Sequence, residues 1–304
     1  MTFLVRKPLR ELSILKVFRY FRASEINQRP DNSFSVVSGC CDSSSSSSVT
    51  KLHLRKMSSG SGHDFVEEKR RYWNLPKEEK RRFYNCREKY VELKDVPTWP
   101  QFYKASNYLI NKLKISDSQK QRLLQGSAYE ADPELNEKIS IFEGDITALE
   151  IDAIVNAANN TLLGGGGVDG AIHRAAGRSL FFECQTLEGC RTGDAKMTGG
   201  YKLPSKAVIH TVGPRGEQPS LLESCYRRSM QVALEHNLRT VAFPCISTGI
   251  YGYPKDSAVQ VVLPTVRTML EAHREKFDRI IFCVFLKDDK EFYLQHLPVF
   301  FPIP

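Results

Sequence analysis

The sequence of residues 156–173 is Asn156-Ala157-Ala158-Asn159-Asn160-Thr161-Leu162-Leu163-Gly164-Gly165-Gly166-Gly167-Val168-Asp169-Gly170-Ala171-Ile172-His173. Four consecutive glycines are unfavourable inside a helix or a strand, because glycine loses more backbone entropy on ordering than any other residue. Apolar residues 151–155 precede this stretch, and a helical pattern begins near Asp169. A strand, a glycine loop and a helix start in this order direct free backbone N–H groups and the positive end of a helix dipole at one point. The stretch therefore predicts an anion-binding loop, and a flexible surface loop is the alternative.

Predicted strands and helices alternate from about residue 131 onward. Strands are predicted at residues 138–142, 151–156, 207–212, 240–246 and 279–286. Helices are predicted at residues 169–186 with a break at Gly177, 219–236, 256–273 with an interruption or kink at Pro264, and 288–297. Apolar strands separated by amphipathic helices are typical of a sheet that is covered on both faces. We therefore expect an α/β/α sandwich in residues 131–304.

A second glycine-containing loop follows the predicted strand 240–246, and its sequence is Ser247-Thr248-Gly249-Ile250-Tyr251-Gly252-Tyr253-Pro254. Open α/β sheets bind ligands in the crevice beyond the carboxyl ends of their strands. Two such loops that face each other across a crevice would suit a diphosphate. The hydroxyl groups of Ser247 and Thr248 and the ring of Tyr251 are candidates for sugar contacts, and the alternative for Tyr251 is packing within the loop.

Four polar residues lie next to these loops or inside the predicted strands. Asp145 follows the first strand, and on physical grounds a helix cap is favoured there over a hydrogen bond to the amine of a base. Asp169 and His173 share one helix face at i,i+4 spacing. Asp169 is either an N-cap beside a core histidine or a carboxylate that holds or deprotonates a water. His210 lies on an apolar strand and is predicted to be a core histidine.

Other kinds of site find little support in the sequence. Gly165-x-Gly167-x-x-Gly170 matches the dinucleotide fingerprint formally, but residues 159–163 separate it from the strand that should come directly before it. No Gly-Lys-Ser/Thr motif, Gly-x-Ser-x-Gly elbow or metal-ligand spacing is present. The eight cysteines form no Cys-x-x-Cys pair, which indicates reduced thiols in a protein that is not secreted.

The basic character of the chain is concentrated in its first part. Residues 1–130 hold 25 Lys and Arg against 14 Asp and Glu, a net charge of +11, whereas residues 131–304 carry a net charge of −3. The first 22 residues contain six basic residues and one acid, with apolar residues near helical spacing. This composition predicts a mitochondrial targeting segment, with a basic tail or a surface helix as the alternative. A serine-rich linker completes residues 1–62.

Residues 63–130 form a highly charged segment in which acids nearly balance bases and aromatic residues recur. This pattern predicts a helical extension that packs on the main domain, in preference to a nucleic-acid patch. No apolar run reaches the roughly 18 residues that a membrane-spanning helix needs.

The motifs and their order resemble those of the macrodomain family, a three-layer α/β/α sandwich with a mixed central sheet that binds ADP-ribose. The motifs that carry the resemblance are Gly144-Asp145-Ile146-Thr147, residues 152–159, residues 162–177, residues 208–214 and residues 243–249. The Gly164–Gly170 loop is most similar to the MacroD-type branch, which includes a mitochondrial member. The resemblance covers the chain from about Asn136 onward.

The resemblance implies an ADP-ribosyl hydrolase that needs no metal or organic cofactor. Enzymes of this branch remove mono-ADP-ribose from Asp and Glu side chains of proteins and deacetylate O-acetyl-ADP-ribose, and some act on ADP-ribosylated nucleic-acid ends. A non-catalytic ADP-ribose reader and a phosphatase acting on ADP-ribose 1″-phosphate are the alternatives. We expect a monomer located in mitochondria, with the cytoplasm or nucleus as the alternative location, and no membrane partner.

The resemblance also assigns roles to particular residues. Asn159, Asp169 and His173 are expected at the reaction centre, with Asp169 assisting the hydrolytic water. Asp145, the Ile146 backbone and Phe285 are expected at the adenine. The residues expected to hold the diphosphate and the distal ribose are Gly164, Gly165, Gly166, Gly167, Val168, Ser247, Thr248, Gly249, Ile250 and Tyr251.

Overall fold

A six-stranded sheet forms the centre of the protein in the computed structural model, which describes residues 64–124 and 129–304. The predicted targeting segment and the whole serine-rich linker lie outside the described residues. The strands are β1 (Val91–Glu92), β2 (Ile139–Glu143), β3 (Leu149–Glu150), β4 (Ala153–Ala157), β5 (Ala195–Gly199), β6 (Ala207–Thr211), β7 (Thr240–Phe243) and β8 (Arg279–Val284). The central sheet has the order β2-β8-β7-β4-β6-β5, while β1 and β3 form a separate parallel pair.

Helices cover both faces of this sheet. They are α1 (Phe65–Asn74), α2 (Lys77–Lys80), α3 (Trp99–Leu113), α4 (Asp117–Leu124), α5 (Pro133–Glu137), α6 (Gly167–Ala176), α7 (Arg178–Thr186), α8 (Pro219–Glu235), α9 (Lys255–Ala272) and α10 (Lys287–Phe300). Helices α8, α9 and α10 contribute to the core on one face, and α6 and α7 contribute to the core on the other. The predicted three-layer sandwich is therefore confirmed.

Alternate residues of each central strand pack into different halves of the core. Val155 of β4 and Ile209 of β6 belong to one half, whereas Ile154 and Val208 belong to the other. Both faces of these strands are buried, so both must be apolar. This explains why the strands appear in the sequence as continuous apolar runs.

The sheet is mixed, as the resemblance implied, because β5 runs antiparallel to β6 while the other neighbouring strands are parallel. The strand pattern did not predict β5. Its sequence, Ala195-Lys196-Met197-Thr198-Gly199, has no apolar run, since it lies at the edge of the sheet and carries polar side chains.

Several predicted boundaries require correction. The predicted strand 240–246 ends at Phe243, because Pro244 has no N–H group to donate to a neighbouring strand. The predicted strand 279–286 ends at Val284, which leaves Phe285 and Leu286 exposed. The break at Gly177 is present: this residue has φ +89° and separates α6 from α7. Helix α9 continues through Pro264 to Ala272.

The charged extension belongs to the same compact unit as the sandwich, which extends from His63 to Pro304. Lys69 Nζ lies 2.5 Å from Glu183 Oε1 on α7, and Lys80 Nζ donates a 2.8 Å hydrogen bond to the Ser205 carbonyl. These two lysine side chains therefore join the extension to the sandwich.

Glu150 on β3 holds the extension through several side-chain hydrogen bonds. Its carboxylate is buried and accepts two hydrogen bonds from Arg81, at 2.8 Å and 2.6 Å, and one from the Tyr84 hydroxyl at 2.9 Å. A buried carboxylate is tolerated only when its oxygens are paired in this way. Farther along, the buried Trp99 donates from Nε1 to the Phe301 carbonyl at 2.8 Å.

The six cysteines of the described residues are free thiols, and four of them are buried: Cys184, Cys190, Cys225 and Cys283. This agrees with the expectation of reduced thiols. Cys40 and Cys41 lie outside the described residues. Among the helices described, none has the length and apolar character to cross a membrane.

Arg81→Met is expected to lower the free energy of unfolding by about 3 kcal/mol, because it leaves the Glu150 carboxylate buried without its cationic partner. The double variant Arg81→Met/Glu150→Met removes both charges and is expected to recover most of this loss. Urea unfolding of the three proteins measures both effects. A single variant as stable as the wild type would contradict the anchoring role.

Candidate functional site

The predicted site residues lie along one edge of the sheet, where the parallel strands end. Asp145 follows β2, Asn159 and the glycine loop follow β4, Ser247 follows β7, and Phe285 follows β8. The carboxyl ends of parallel strands meet at the same edge, so the fold brings together segments that are far apart in the sequence.

The glycine loop folds tightly over the start of α6. Leu162, Gly164 and Gly167 adopt positive φ angles of 61°, 86° and 60°. A Cβ atom on Gly170 would lie 2.3 Å from the Gly165 carbonyl oxygen, a distance that no side chain tolerates. Gly166 is the N-cap residue of α6, and no side chain caps the helix there. The N–H groups of the first turn are therefore available to an anion.

The second loop faces the glycine loop. Ile250 is 84 % exposed, and its Cδ1 lies 3.6 Å from the position that a Cβ on Gly166 would take. Hydrogen bonds within the loop fix its shape: Tyr253 N donates to the Ser247 carbonyl at 3.0 Å, and Thr248 Oγ1 donates to the Cys245 carbonyl at 3.1 Å. The two loops thus approach each other within contact distance at the start of α6.

Tyr251 packs against the neighbouring segment that contains Arg215 and Gly216. The Arg215 guanidinium lies 4.8 Å from the centre of the Tyr251 ring, and the Tyr251 carbonyl accepts a 2.7 Å hydrogen bond from Gly216 N. Loop packing, which the sequence left open for this residue, is therefore present.

Asn159 uses its side chain to hold the glycine loop. Its Nδ2 donates to the Gly164 carbonyl at 2.9 Å, and its Oδ1 accepts from Thr161 N at 3.0 Å and from Thr161 Oγ1 at 2.6 Å. A Cβ on Gly165 would lie 3.2 Å from this Nδ2 and 3.0 Å from Asp169 Oδ2. Asn159 and Asp169 therefore flank the same glycine.

Asp145 caps a short 3₁₀ helix, Ile146–Ala148, as its sequence position indicated. Its Oδ1 accepts hydrogen bonds from Thr147 N at 2.9 Å and from Thr147 Oγ1 at 2.7 Å. Phe285 stands at the end of the neighbouring strand β8 with 75 % of its surface exposed. Strand pairing thus brings Asp145 and Phe285 to the same end of two neighbouring strands, where the exposed ring can stack and the exposed carboxylate can accept hydrogen bonds.

Asp169 is buried in the first turn of α6, and the N-cap interpretation of this residue is wrong because Gly166 holds the cap position. Its Oδ1 accepts a 2.8 Å hydrogen bond from Asn156 Nδ2 and lies 3.5 Å from His173 Nε2. Burial raises the pKa of Asp169, with the Asn156 hydrogen bond and the His173 charge opposing that effect. Burial lowers the pKa of His173. Both changes disfavour the charged forms.

His210 is a core histidine, as predicted, but it belongs to a hydrogen-bonded chain that reaches Asp169. Its Nδ1 lies 3.0 Å from Asn156 Nδ2, and its Nε2 lies 2.8 Å from Thr198 Oγ1. Burial lowers the pKa of His210 to about 3, so the ring is neutral near pH 7. Sequence reasoning missed Asn156 and Thr198; a polar residue at the end of the apolar strand 151–156 was the available signal for Asn156.

The structure also brings possible metal-ligating atoms of His173, Cys184 and His210 within 4.8 Å of one another. The sequence analysis did not predict this cluster, because its members lie on α6, α7 and β6. Both ring nitrogens of His210 already have hydrogen-bonding neighbours, and burial raises the pKa of the Cys184 thiol to about 12. These observations favour a hydrogen-bonded polar core over a cation site.

Comparisons with known proteins agree on one family. The family model described as "Macro domain" matches residues 155–262. ADP-ribose glycohydrolase MACROD1 from Rattus norvegicus is 49% identical over 246 residues, which cover 79% of this chain and 90% of that protein. ADP-ribose glycohydrolase MACROD2 from Homo sapiens is 45% identical over 243 residues, which cover 78% of this chain and 54% of that protein.

A solved structure shows the same architecture. The Trypanosoma brucei macrodomain in complex with ADP-ribose matches with a TM-score of 0.59 and 33% sequence identity, covering 81% of this chain and 95% of that chain. Sequence, motif order and fold therefore give the same result: the chain belongs to the macrodomain family and is similar over most of its length to the MACROD1 and MACROD2 ADP-ribose glycohydrolases.

Proposed function

We propose that this protein is an ADP-ribosyl hydrolase that removes mono-ADP-ribose from Asp and Glu side chains of proteins and deacetylates O-acetyl-ADP-ribose. The observation that carries the proposal is the buried Asp169 carboxylate in the first turn of α6, directly beneath a glycine loop whose N–H groups suit a diphosphate. The relatives named ADP-ribose glycohydrolase and the macrodomain solved with ADP-ribose support it.

In this proposal the cleft binds the ADP-ribosyl group in an extended form. The diphosphate lies between the residues 164–168 and the residues 247–251, where backbone N–H groups and the helix dipole offset its charge. The adenine stacks on Phe285 and donates its amine hydrogen to Asp145. The distal ribose reaches Asn159, which places the ester bond beside Asp169.

The reaction is the addition of one water across the ester. The bond between the acyl carbon and the ribose oxygen breaks, and the carboxylic acid and ADP-ribose are released. An acyl ester of ribose is reactive enough for a well-placed water to carry much of the rate, since orientation replaces a costly encounter. The Asp169 carboxylate accepts a hydrogen bond from the water and fixes its direction. The proton of the water passes either to Asp169 or to a phosphate oxygen of the substrate.

Asp169→Asn is expected to reduce release of ADP-ribose from a glutamate-modified protein by at least about a hundredfold, because a neutral amide cannot orient or deprotonate the water in the same way. Binding of free ADP-ribose, measured by calorimetry, is expected to change little. Asp194→Asn, which alters a partly exposed aspartate paired with Arg228, is the matched control and should retain full activity. If the wild-type protein binds free ADP-ribose tightly but releases none from the modified protein, it is a non-catalytic reader.

Asp169→Asn is also expected to stabilise the fold at pH 8. Burial raises the pKa of Asp169 in the folded protein above the ordinary value of 3.8, so ionising this carboxylate destabilises the folded state relative to the unfolded chain. Each unit by which the pKa of Asp169 rises on folding destabilises the folded state by about 1.4 kcal/mol where the carboxylate is ionised. The gain in Tm should shrink as the pH falls through the folded pKa and vanish below 3.8. Equal Tm values for the two proteins at pH 8 would contradict the burial argument.

The rate of ADP-ribose release is expected to fall at acidic pH, with a midpoint above pH 3.8. The reason is that protonation of the buried Asp169 removes the charged group that holds the water. Initial rates of ADP-ribose release between pH 4 and pH 9 measure this fall. If the rate stays constant down to pH 4, the proton of the hydrolytic water passes to the phosphate. Asp169 then only orients the water, and protonation does not abolish that role.

We further propose that the protein acts in mitochondria. A fluorescent fusion of the whole chain is expected to enter mitochondria, and deletion of residues 1–30 should leave it in the cytosol, because the deletion removes the basic amphipathic segment. A full-length variant with glutamine at the six basic positions among the first 22 residues is the control for chain length and should also stay outside. Mitochondrial fluorescence that persists in the deletion variant would refute this location signal.

A further inference from the structure

We infer that His210 and Thr198 are positioning residues for the proposed hydrolysis: through Asn156 they hold one oxygen of the Asp169 carboxylate in the core and leave the other for the water. The inference deepens the proposed function and rests on it. Neither His210 nor Thr198 lies in the glycine loops, and both act through Asn156.

The chain of contacts is continuous and closed to solvent. Thr198 Oγ1 lies 2.8 Å from His210 Nε2, His210 Nδ1 lies 3.0 Å from Asn156 Nδ2, and Asn156 Nδ2 donates to Asp169 Oδ1 at 2.8 Å. Thr198, His210 and Asn156 each have 0 % of their surface exposed. Water therefore cannot substitute for a missing link in the chain.

The hydrogen atoms of this chain can be assigned from its chemistry. The Asn156 amide has two hydrogens on Nδ2 and gives one to the carboxylate, so the other is directed at His210 Nδ1, which must accept it. The proton of the neutral ring is then on Nε2 and is donated to Thr198 Oγ1. The threonine hydroxyl in turn donates to the Gly199 carbonyl at 3.2 Å. Each donor of the chain meets an acceptor when His210 carries its proton on Nε2, whereas Asn156 Oδ1 is buried without a hydrogen-bond partner among the described residues.

Strand pairing places these residues in register. Asn156 of β4 lies directly opposite His210 of β6. On the other side of β6, His210 lies opposite Lys196 of β5, and Thr198 is two residues farther along β5 on the same face as Lys196. The antiparallel edge strand thus supplies the end of the chain that orients Asp169.

The two carboxylate oxygens of Asp169 therefore have different roles. Oδ1 is held by Asn156, whereas Oδ2 lies 3.0 Å from the Cβ position of Gly165, on the side of the glycine loop and Asn159. A carboxylate held at one oxygen cannot rotate freely, so the second oxygen keeps a fixed direction toward the ester. Loss of the chain would free the carboxylate to turn without removing any group that touches the ligand.

Thr198→Val tests this inference, because valine keeps the shape of threonine and removes only the hydroxyl that fixes His210. We expect kcat for ADP-ribose release to fall by about ten- to a hundredfold, with KM and the Kd for ADP-ribose within about twofold of the wild type. Thr198→Ser restores the hydroxyl and should restore kcat. Thr211→Val is the matched control: it removes another buried hydroxyl, which donates to the Asp194 carbonyl at 2.8 Å, and should leave kcat unchanged.

Nitrogen-15 NMR of labelled histidine provides a readout that does not depend on hydrolysis. His210 in the wild type is expected to show a protonated Nε2 and an unprotonated Nδ1 at pH 7, and Thr198→Val is expected to give a mixture of tautomers. A wild-type Nδ1–H tautomer, a cationic ring at pH 7, or a Thr198→Val variant with wild-type kcat would each overturn the inference. Absence of any ADP-ribose release by the wild type, with the expected tautomer present, would overturn the proposed function and leave the hydrogen-bonded chain as a structural feature only.

Discussion

The hydrogen bond from Asn156 to the Asp169 carboxylate is the interaction on which the arrangement of the site depends. A carboxylate removed from water loses its solvation, and the protein must replace that solvation with directed donors. Here the donor is an amide at the end of a central strand, and its own direction is set by a neutral histidine on the next strand. The sheet therefore orients the Asp169 carboxylate directly, in addition to supporting the loops around it.

The favourable electrostatic interactions of this protein act over short distances. Residues 131–304 carry a net charge of −3, yet the proposed ligand of their glycine loop is an anion. The favourable field comes from backbone N–H groups at the uncapped start of α6, where dipoles act over a few ångströms and overall charge matters little. The basic side chains of the extension serve a different purpose, since Lys69, Lys80 and Arg81 pair with acids or carbonyls of the sandwich.

The fold and the segments that meet at the carboxyl edge of the sheet were predictable from sequence because they depend on local patterns. Apolar runs marked the buried strands, and Gly177 marked the break between α6 and α7. The antiparallel strand β5 was missed because an edge strand needs no apolar run. The role of Asp169 stayed open because capping depends on backbone angles at Gly166, which the sequence does not specify. Thr198, His210 and Asn156 meet only through strand register, so no spacing along the chain reveals them.

The attachment of the extension has a consequence for the order in which the molecule folds. The contacts that hold it join residues that are far apart: Arg81 and Glu150 are separated by 69 positions, Lys80 and Ser205 by 125, and Trp99 and Phe301 by 202. Contacts between distant residues form slowly, since a long loop must close first. During synthesis the extension is made before the sandwich, but Trp99 gains its hydrogen-bonding partner only after Phe301 has been added. The extension is therefore expected to attach in stages, with the Arg81–Glu150 contact able to form before the contact between Trp99 and Phe301.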